Sequence, residues 1–300
     1  MPAPSRLRLS TFPLLYLIVI ACSGALLAYP IFILVEGQYS FSRIINRCGL
    51  VLLVLGIYPM MKWQSLSRFD IGYLQEKRFY TSAFITSFGV GIVILGILVA
   101  SLLALNIREP KQDELEILGI LAKSAGTGLI VALLEETLFR GLLFTTIRKY
   151  ATPLLAIIIS ALYYAALHFL HSKIKLPIES VHWYSGFPIV LDGFQQIISP
   201  NRFDSLLALF TVGVLLAMVR HYFKKGLIYC IGLHASWVFI LKTTKYATDL
   251  DKINPFSGLV GDYDGIIGYL AALWLSLLIV GFYYWANKKS PGFLFSTHPN

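Results

Sequence analysis

The stretch LLEETLFRGLLF, Leu133 to Phe144, sets two adjacent carboxylates and an arginine inside an otherwise apolar run. The apolar residues continue on both sides, from about 117 to 147. About 20 such residues suffice to cross the hydrocarbon core of a bilayer. An ionisable side chain at that depth costs at least ~2.5 kcal/mol unless it is paired or hydrated. The placement therefore needs compensation from partners elsewhere in the chain. Working outward, 57% of the 300 residues are hydrophobic and only 14% charged, too little charge for a soluble domain of this length.

The reading is an all-α, polytopic transmembrane helix bundle with about eight spans and no separate soluble domain. The spans are expected near 11–35, 48–61, 81–106, 117–147, 152–170, 205–220, 227–241 and 263–286. The sixth and seventh look short for the ~30 Å core and are expected to sit against a cavity. The connection over 172–204 mixes Pro177, Pro188 and Pro200 with Trp183, Tyr184 and Phe187. An interfacial loop is the expectation there, ahead of a lid or a re-entrant segment. No internal repeat or low-complexity tract stands out.

Net charge is +9, spread over the loops. That suits anionic lipid headgroups and gives no nucleic-acid patch. Cys22, Cys48 and Cys230 lie in or beside apolar runs, too far apart in sequence for a disulfide framework or a zinc knuckle. Val19-Ile20-Ala21-Cys22 looks like a lipoprotein cleavage box, but the apolar run continues to Val35, so a first transmembrane helix is expected instead. Lysine and arginine counts favour both termini on the cytoplasmic side. One set of loops holds 13, from Arg6, Arg8, Lys62, Arg68, Lys77 and Arg78 through Arg148, Lys149, Arg220, Lys224 and Lys225 to Lys288 and Lys289. The opposite set holds 10.

Of the 16 acidic residues, only Glu135 and Glu136 lie deep in a span. Glu136 and Arg140 are four apart and share a helix face, so they can pair. Glu135 is rotated ~100° away with no base one turn on. It is the carboxylate left for chemistry, and a general base is its expected role. His168 sits in YYAALHFLH, four residues after Tyr164, and His171 comes next, nearer the membrane edge, where an interfacial role is expected. His234 sits in IGLHASWVF with Trp237 on its face. Measured from the inner span ends at ~1.5 Å per residue, Glu135 lies ~18 Å deep, His168 ~24 Å and His234 ~12 Å. A compact site therefore requires the span edges to shift by about a turn, since tilts of roughly 20° close little of that gap.

A carboxylate base with two histidines can activate water and stabilise an oxyanion, which is hydrolase chemistry. One glutamate and two histidines can also hold zinc with water in the fourth position. The HExxH helix and the GxSxG elbow are absent. Tyr184-Ser185-Gly186 is a faint serine-site signal in a loop.

These residues resemble the CPBP family, the CAAX-protease and bacteriocin-processing intramembrane endopeptidases, including the CAAX prenyl endopeptidase/Abi group. The family pattern is EExxxR, FxxxH and HxxxN or HxxxD. Glu135, Glu136 and Arg140 match the first motif. Tyr164 to His168 matches the second with tyrosine for phenylalanine. The third begins at His234 but has Val238 in place of the amide or acid. The resemblance implies that residues 115–245 form a catalytic core, with N-terminal transmembrane helices over 1–114. A loop, the last transmembrane helix and a tail then occupy 246–300. It implies that Glu135 activates water with His168, that Glu136 is fixed by Arg140, and that His234 stabilises the oxyanion. Trp237 is the candidate donor where Val238 has none. No cofactor is favoured, because Glu135 adjoins a second carboxylate and no fourth ligand is evident; zinc is the alternative. The implied partners are a membrane protein or peptide substrate and the lipid bilayer, and prenylated proteins are one substrate class. The terminal STHPN is not itself a prenylation box.

Two other readings compete. One is a non-catalytic member of the fold that binds peptide or lipid or acts in immunity, which Val238 favours. The other is a proton-coupled transporter. Arg140 argues against it by holding Glu136 charged, and no paired broken helices are evident.

Overall fold

The computed structural model describes residues 6–73, 78–112, 116–223, 226–292 and 294. Lys77, Lys224, Lys225 and the terminal STHPN lie outside the described residues, as do the side chains of Arg6, Arg8 and Arg78. The helices are α1 (Arg6–Leu34), α2 (Phe41–Trp63), α3 (Arg78–Ala104), α4 (Ile117–Glu136), α5 (Phe144–Arg148), α6 (Pro153–His168), α7 (Gly186–Ile197), α8 (Phe203–Tyr222), α9 (Gly226–Ala247) and α10 (Tyr269–Lys289). A π-helical segment, Thr137–Leu143, joins α4 to α5. Among the described residues the strands are two of three residues each, β1 (Arg108–Pro110) and β2 (Thr248–Leu250), paired antiparallel.

The all-α polytopic reading holds. Seven helical segments are long and apolar enough to cross a membrane, and α6, at 16 residues, is a shorter apolar helix in the position of the expected fifth span. The chain is an integral membrane protein. Two details differ from expectation. The sixth and seventh spans are not short: the apolar segments run over Pro200–Tyr222 and Gly226–Ala247. Their ends carry Asp204, Lys242 and Lys245, so the helices continue where the apolar run stops. The 172–204 connection is not a plain loop either, because α7 lies within it. Its apolar residues recur on one face, with Ile189 and Gly193 buried.

The chain divides into two compact units, Met1–Ser65 with Ala165–Pro200, and Leu66–Tyr164 with Asn201–Asn300. In the first, α1 and α2 form a hairpin on which α7 packs. Its core joins Ala28, Phe32, Phe41, Ile44, Ile45, Val181 and Ile189, with Phe32 and Phe41 edge to face at 5.4 Å. Pro13 and Pro30 lie inside α1, as membrane helices tolerate.

In the second unit α9 is the central element, packed between α3 and α4 and against α8, while α10 covers α8. Buried Arg108 ties β1 to β2 and to the Gly265 turn. Its Nε donates to Thr248 Oγ1 at 2.7 Å, Nη2 to the Thr248 carbonyl at 2.8 Å and Nη1 to the Gly265 carbonyl at 3.0 Å. Desolvation at that site lowers the arginine's pKa below its ordinary value.

Candidate active site

Glu136 and Arg140 are both fully buried, and Arg140 Nη1 donates to Glu136 Oε1 at 3.1 Å. The same oxygen lies 2.8 Å from His234 Nδ1, which comes from α9. A carboxylate oxygen that already accepts from arginine is an acceptor here too, so Nδ1 is assigned as the donor. The other ring nitrogen, Nε2, lies 3.9 Å from Glu135 Oε2. Glu135 is 30% exposed along its side chain, whereas His234 is nearly closed off at 5%. The two carboxylates thus differ in the way the helix geometry predicts: Glu136 is enclosed and ion-paired, and Glu135 is open on one side.

Arg140 has further partners. Its Nη2 donates to the Gly213 carbonyl at 3.3 Å, and its guanidinium lies 4.2 Å from the centre of the Tyr164 ring. A desolvated cation over an aromatic face is worth ~2 kcal/mol. Tyr164 also meets Phe139 and His234 edge to face, at 5.3 and 5.9 Å. The aromatic of the second motif therefore packs against both the arginine and the histidine.

Local backbone explains how the cluster closes. The π-helical turn begins one residue after Glu136, and the Phe144 amide donates to the Phe139 carbonyl, five residues back. Such wider turns leave carbonyls off the regular ladder and are common at functional sites. The Arg140 carbonyl is taken by Arg220 Nε at 3.1 Å. That bond also shows one source of the depth mismatch. It puts the end of α8 level with Arg140, whereas the span containing α4 runs on to Arg148, eight residues or ~12 Å further. Depths measured from the two span ends therefore had different origins. Close approach is allowed by glycine. A Cβ on Gly128 of α4 would lie 2.5 Å from the Ala235 carbonyl of α9, and one on Gly213 of α8 would lie 2.8 Å from Ala161 of α6.

Residues 117–240 match the family model described as Rce1-like, type II CAAX prenyl endopeptidase. Over that stretch the chain is similar to this family. No curated protein and no solved structure matches it significantly. Within the Rce1-like core, Glu135, Glu136, Arg140 and His234 meet in the second unit. His168 falls in the first unit, as the half-buried last residue of α6 one turn after Tyr164. His171 lies just beyond that helix. Ser185 is structural: its Oγ accepts the His182 amide at 2.9 Å. Val238 is partly buried. Trp237 is 4% exposed, and its indole Nε1 has no hydrogen-bond partner among the described residues. Among the described residues no group of three His, Cys, Asp or Glu side chains is disposed to hold a metal ion. Gly213, Gly128 and Arg220 were not anticipated as parts of the site. For the glycines the signal was present, as small residues in apolar spans. For Arg220, a helix-end arginine, there was none.

Proposed function

We propose that the Rce1-like core is an intramembrane endopeptidase that hydrolyses a peptide bond of a membrane-associated protein or peptide. The observation that carries the reading is His234 held between two carboxylates, 2.8 Å from Glu136 and 3.9 Å from Glu135. A gap of 3.9 Å is too long for a direct hydrogen bond, so the histidine faces Glu135 without being tied to it.

In the proposed reaction Glu135 takes a proton from water as its oxygen attacks the scissile carbonyl carbon. His168 keeps the role the motif gives it, as the partner of Glu135 on that water. The carbonyl oxygen gains the negative charge, the C–N bond then breaks, and the proton passes from Glu135 to the leaving amine. His234 donates to the oxyanion from Nε2. With Nδ1–H committed to Glu136, that donation requires a second ring proton. In that step both ring nitrogens donate, Nδ1 to Glu136 and Nε2 to the oxyanion. Arg140 and Glu136 act as positioning residues that hold the ring in this orientation. The buried, partnerless Trp237 indole, three residues after His234 on α9, is the proposed second donor in place of the amide missing at Val238. Trp237→Phe should lower kcat about 10²-fold with KM held, the smaller end of an oxyanion-donor loss.

The donor set favours the metal-free form. Glu136 Oε1 is held by Arg140 and His234, and a zinc ion would need an unprotonated His234 Nε2 together with a third nearby ligand. Prenylated carboxyl-terminal segments are the proposed substrate class, from the activity for which the matching family is named. Residues 115–245 are the proposed catalytic domain, with both termini on the cytoplasmic side.

The test is a terminus-enriching mass-spectrometry comparison of cells carrying wild type or Glu135→Gln at equal abundance. New peptide termini confined to wild type are expected and would name the substrate. Identical termini in both strains, with both proteins folded, would sink the protease reading. That outcome would favour the non-catalytic form to which Val238 points.

A further inference from the structure

Within the first unit, α1 and α2 leave a trough of about 850 Å³ between them. Leu27 and Ile31 line it from α1, and Val51 and Leu55 from α2. Arg43 and Arg47 line the same trough at the hairpin end. They are four residues apart and so share a face of α2. Both are at least partly exposed, and neither has a side-chain hydrogen bond or an ion pair among the described residues. An apolar wall is expected wherever a helix faces lipid. Two unneutralised guanidinium groups at one end of that wall are not, because a structural arginine normally finds a carboxylate or carbonyl.

The dimensions bear on what fills it. Arg43 to Leu55 spans 12 residues of helix, ~18 Å. One leaflet of a ~30 Å hydrocarbon core is ~15 Å deep. The trough therefore runs from the headgroup level to about the bilayer midplane. Its cationic end carries two planar forks suited to phosphate oxygens, and its shaft is apolar. We infer that the α1–α2 trough binds one anionic phospholipid, with the phosphate on Arg43 and Arg47 and an acyl chain along Leu27, Ile31, Val51 and Leu55. This site is separate from the glutamate–histidine cluster and does not depend on its chemistry.

The full chain in detergent can be titrated with phosphatidylglycerol or with phosphatidylcholine of the same acyl chains, and retained lipid counted by native mass spectrometry. Wild type should hold one phosphatidylglycerol far more tightly than phosphatidylcholine. Arg43→Gln with Arg47→Gln should weaken phosphatidylglycerol about 30-fold and phosphatidylcholine, whose phosphate is offset by choline, by much less. Leu55→Trp, which fills the shaft but keeps both arginines, should weaken both lipids, and it serves as the independent variant if the double mutant does not fold. Equal retention of the two lipids by wild type would overturn the inference. So would full displacement by equimolar inorganic phosphate, which would mean an anion site without a lipid shaft. Unchanged phosphatidylglycerol binding in the folded variants would overturn it as well.

Discussion

The segments Phe41–Trp63 and Pro200–Tyr222 have the same length and the same mean hydropathy, 1.8, yet 17% of one window is buried and 56% of the other. Hydropathy settles that both belong in a bilayer. It does not settle what they touch. The second segment presents Ala208, Gly213 and Ala217 to its neighbours, and small residues let backbones approach where lipid and leucine are equally apolar. The first keeps Leu50, Val51, Leu55 and Tyr58 outward. Charge is divided the same way. Beside α8 and α9, Glu136, Arg140 and His234 are enclosed and partnered. On α2 they sit near the ends of the helix.

The contrast is tested most severely at the two adjacent glutamates. Glu135→Gln should abolish most turnover, by about 10²–10⁴-fold as expected for a lost general base, while leaving the melting temperature near wild type. The carboxylate is open on one side, and glutamine keeps its shape there. A fall in thermal stability as large as the fall in activity would show that Glu135 is structural.

Arg140→Gln should do the reverse. It leaves Glu136 ionised in a fully buried site with His234 as the one remaining ion-pair partner among the described residues, a change that costs about 3–5 kcal/mol. Loss of folded protein in a thermal-shift or abundance assay is the expected outcome. A stable Arg140→Gln protein would mean that packing around Tyr164 and Gly213, not the ion pair, holds the region together.

The Glu136–Arg140 pair and the separateness of Glu135 were legible because both come from helical spacing inside one span. The approach of His234 was not, because it depends on how far each helix runs past the turn beside it. The bond from Arg220 to the Arg140 carbonyl sets that level, and no pattern in either span encodes it. The π-helical turn was hidden for a related reason. TLFRGLL reads as ordinary helix, and the wider turn is stabilised by partners from other segments, including Tyr73, whose hydroxyl lies 2.6 Å from Thr137 Oγ1. Helix α7 was missed because its prolines and aromatics resemble interfacial loop chemistry. Its apolar face becomes evident only when the hairpin it covers is in place.

Glycine sharpens the comparison at smaller scale. Gly128→Leu should destabilise by about 1–3 kcal/mol or more, since even a Cβ meets the Ala235 carbonyl at 2.5 Å. Gly49→Ala, on α2, has open space around its Cβ and should stabilise by up to ~1 kcal/mol through helix propensity. Equal effects at the two positions would remove the distinction between a tightly packed helix and a lipid-facing one.

The smallest expected effect lies outside the spans, at Asp192 of α7. Ser172 Oγ donates to its Oδ2 at 2.6 Å, and the Lys173 amide donates to the same oxygen at 2.9 Å. Gln196 Nε2 donates to Oδ1 at 3.1 Å. The Ser172, Gln196 and Lys173 bonds hold this carboxyl below the usual carboxylate range. A lowered folded-state pKa means that the stabilisation is fully present above the unfolded value, ~3.9. It is lost as the pH falls through the lower, folded value. The group is open to solvent, and screening keeps the contribution small. Amide exchange at Lys173 should therefore be slow at neutral pH and speed up, beyond the intrinsic pH trend, only in acid. Asp192→Asn, which keeps the shape but not the charge, should show faster exchange already at neutral pH and no added acid step. If wild type and Asp192→Asn exchange alike, the carboxylate is not what ties residues 172–173 to α7.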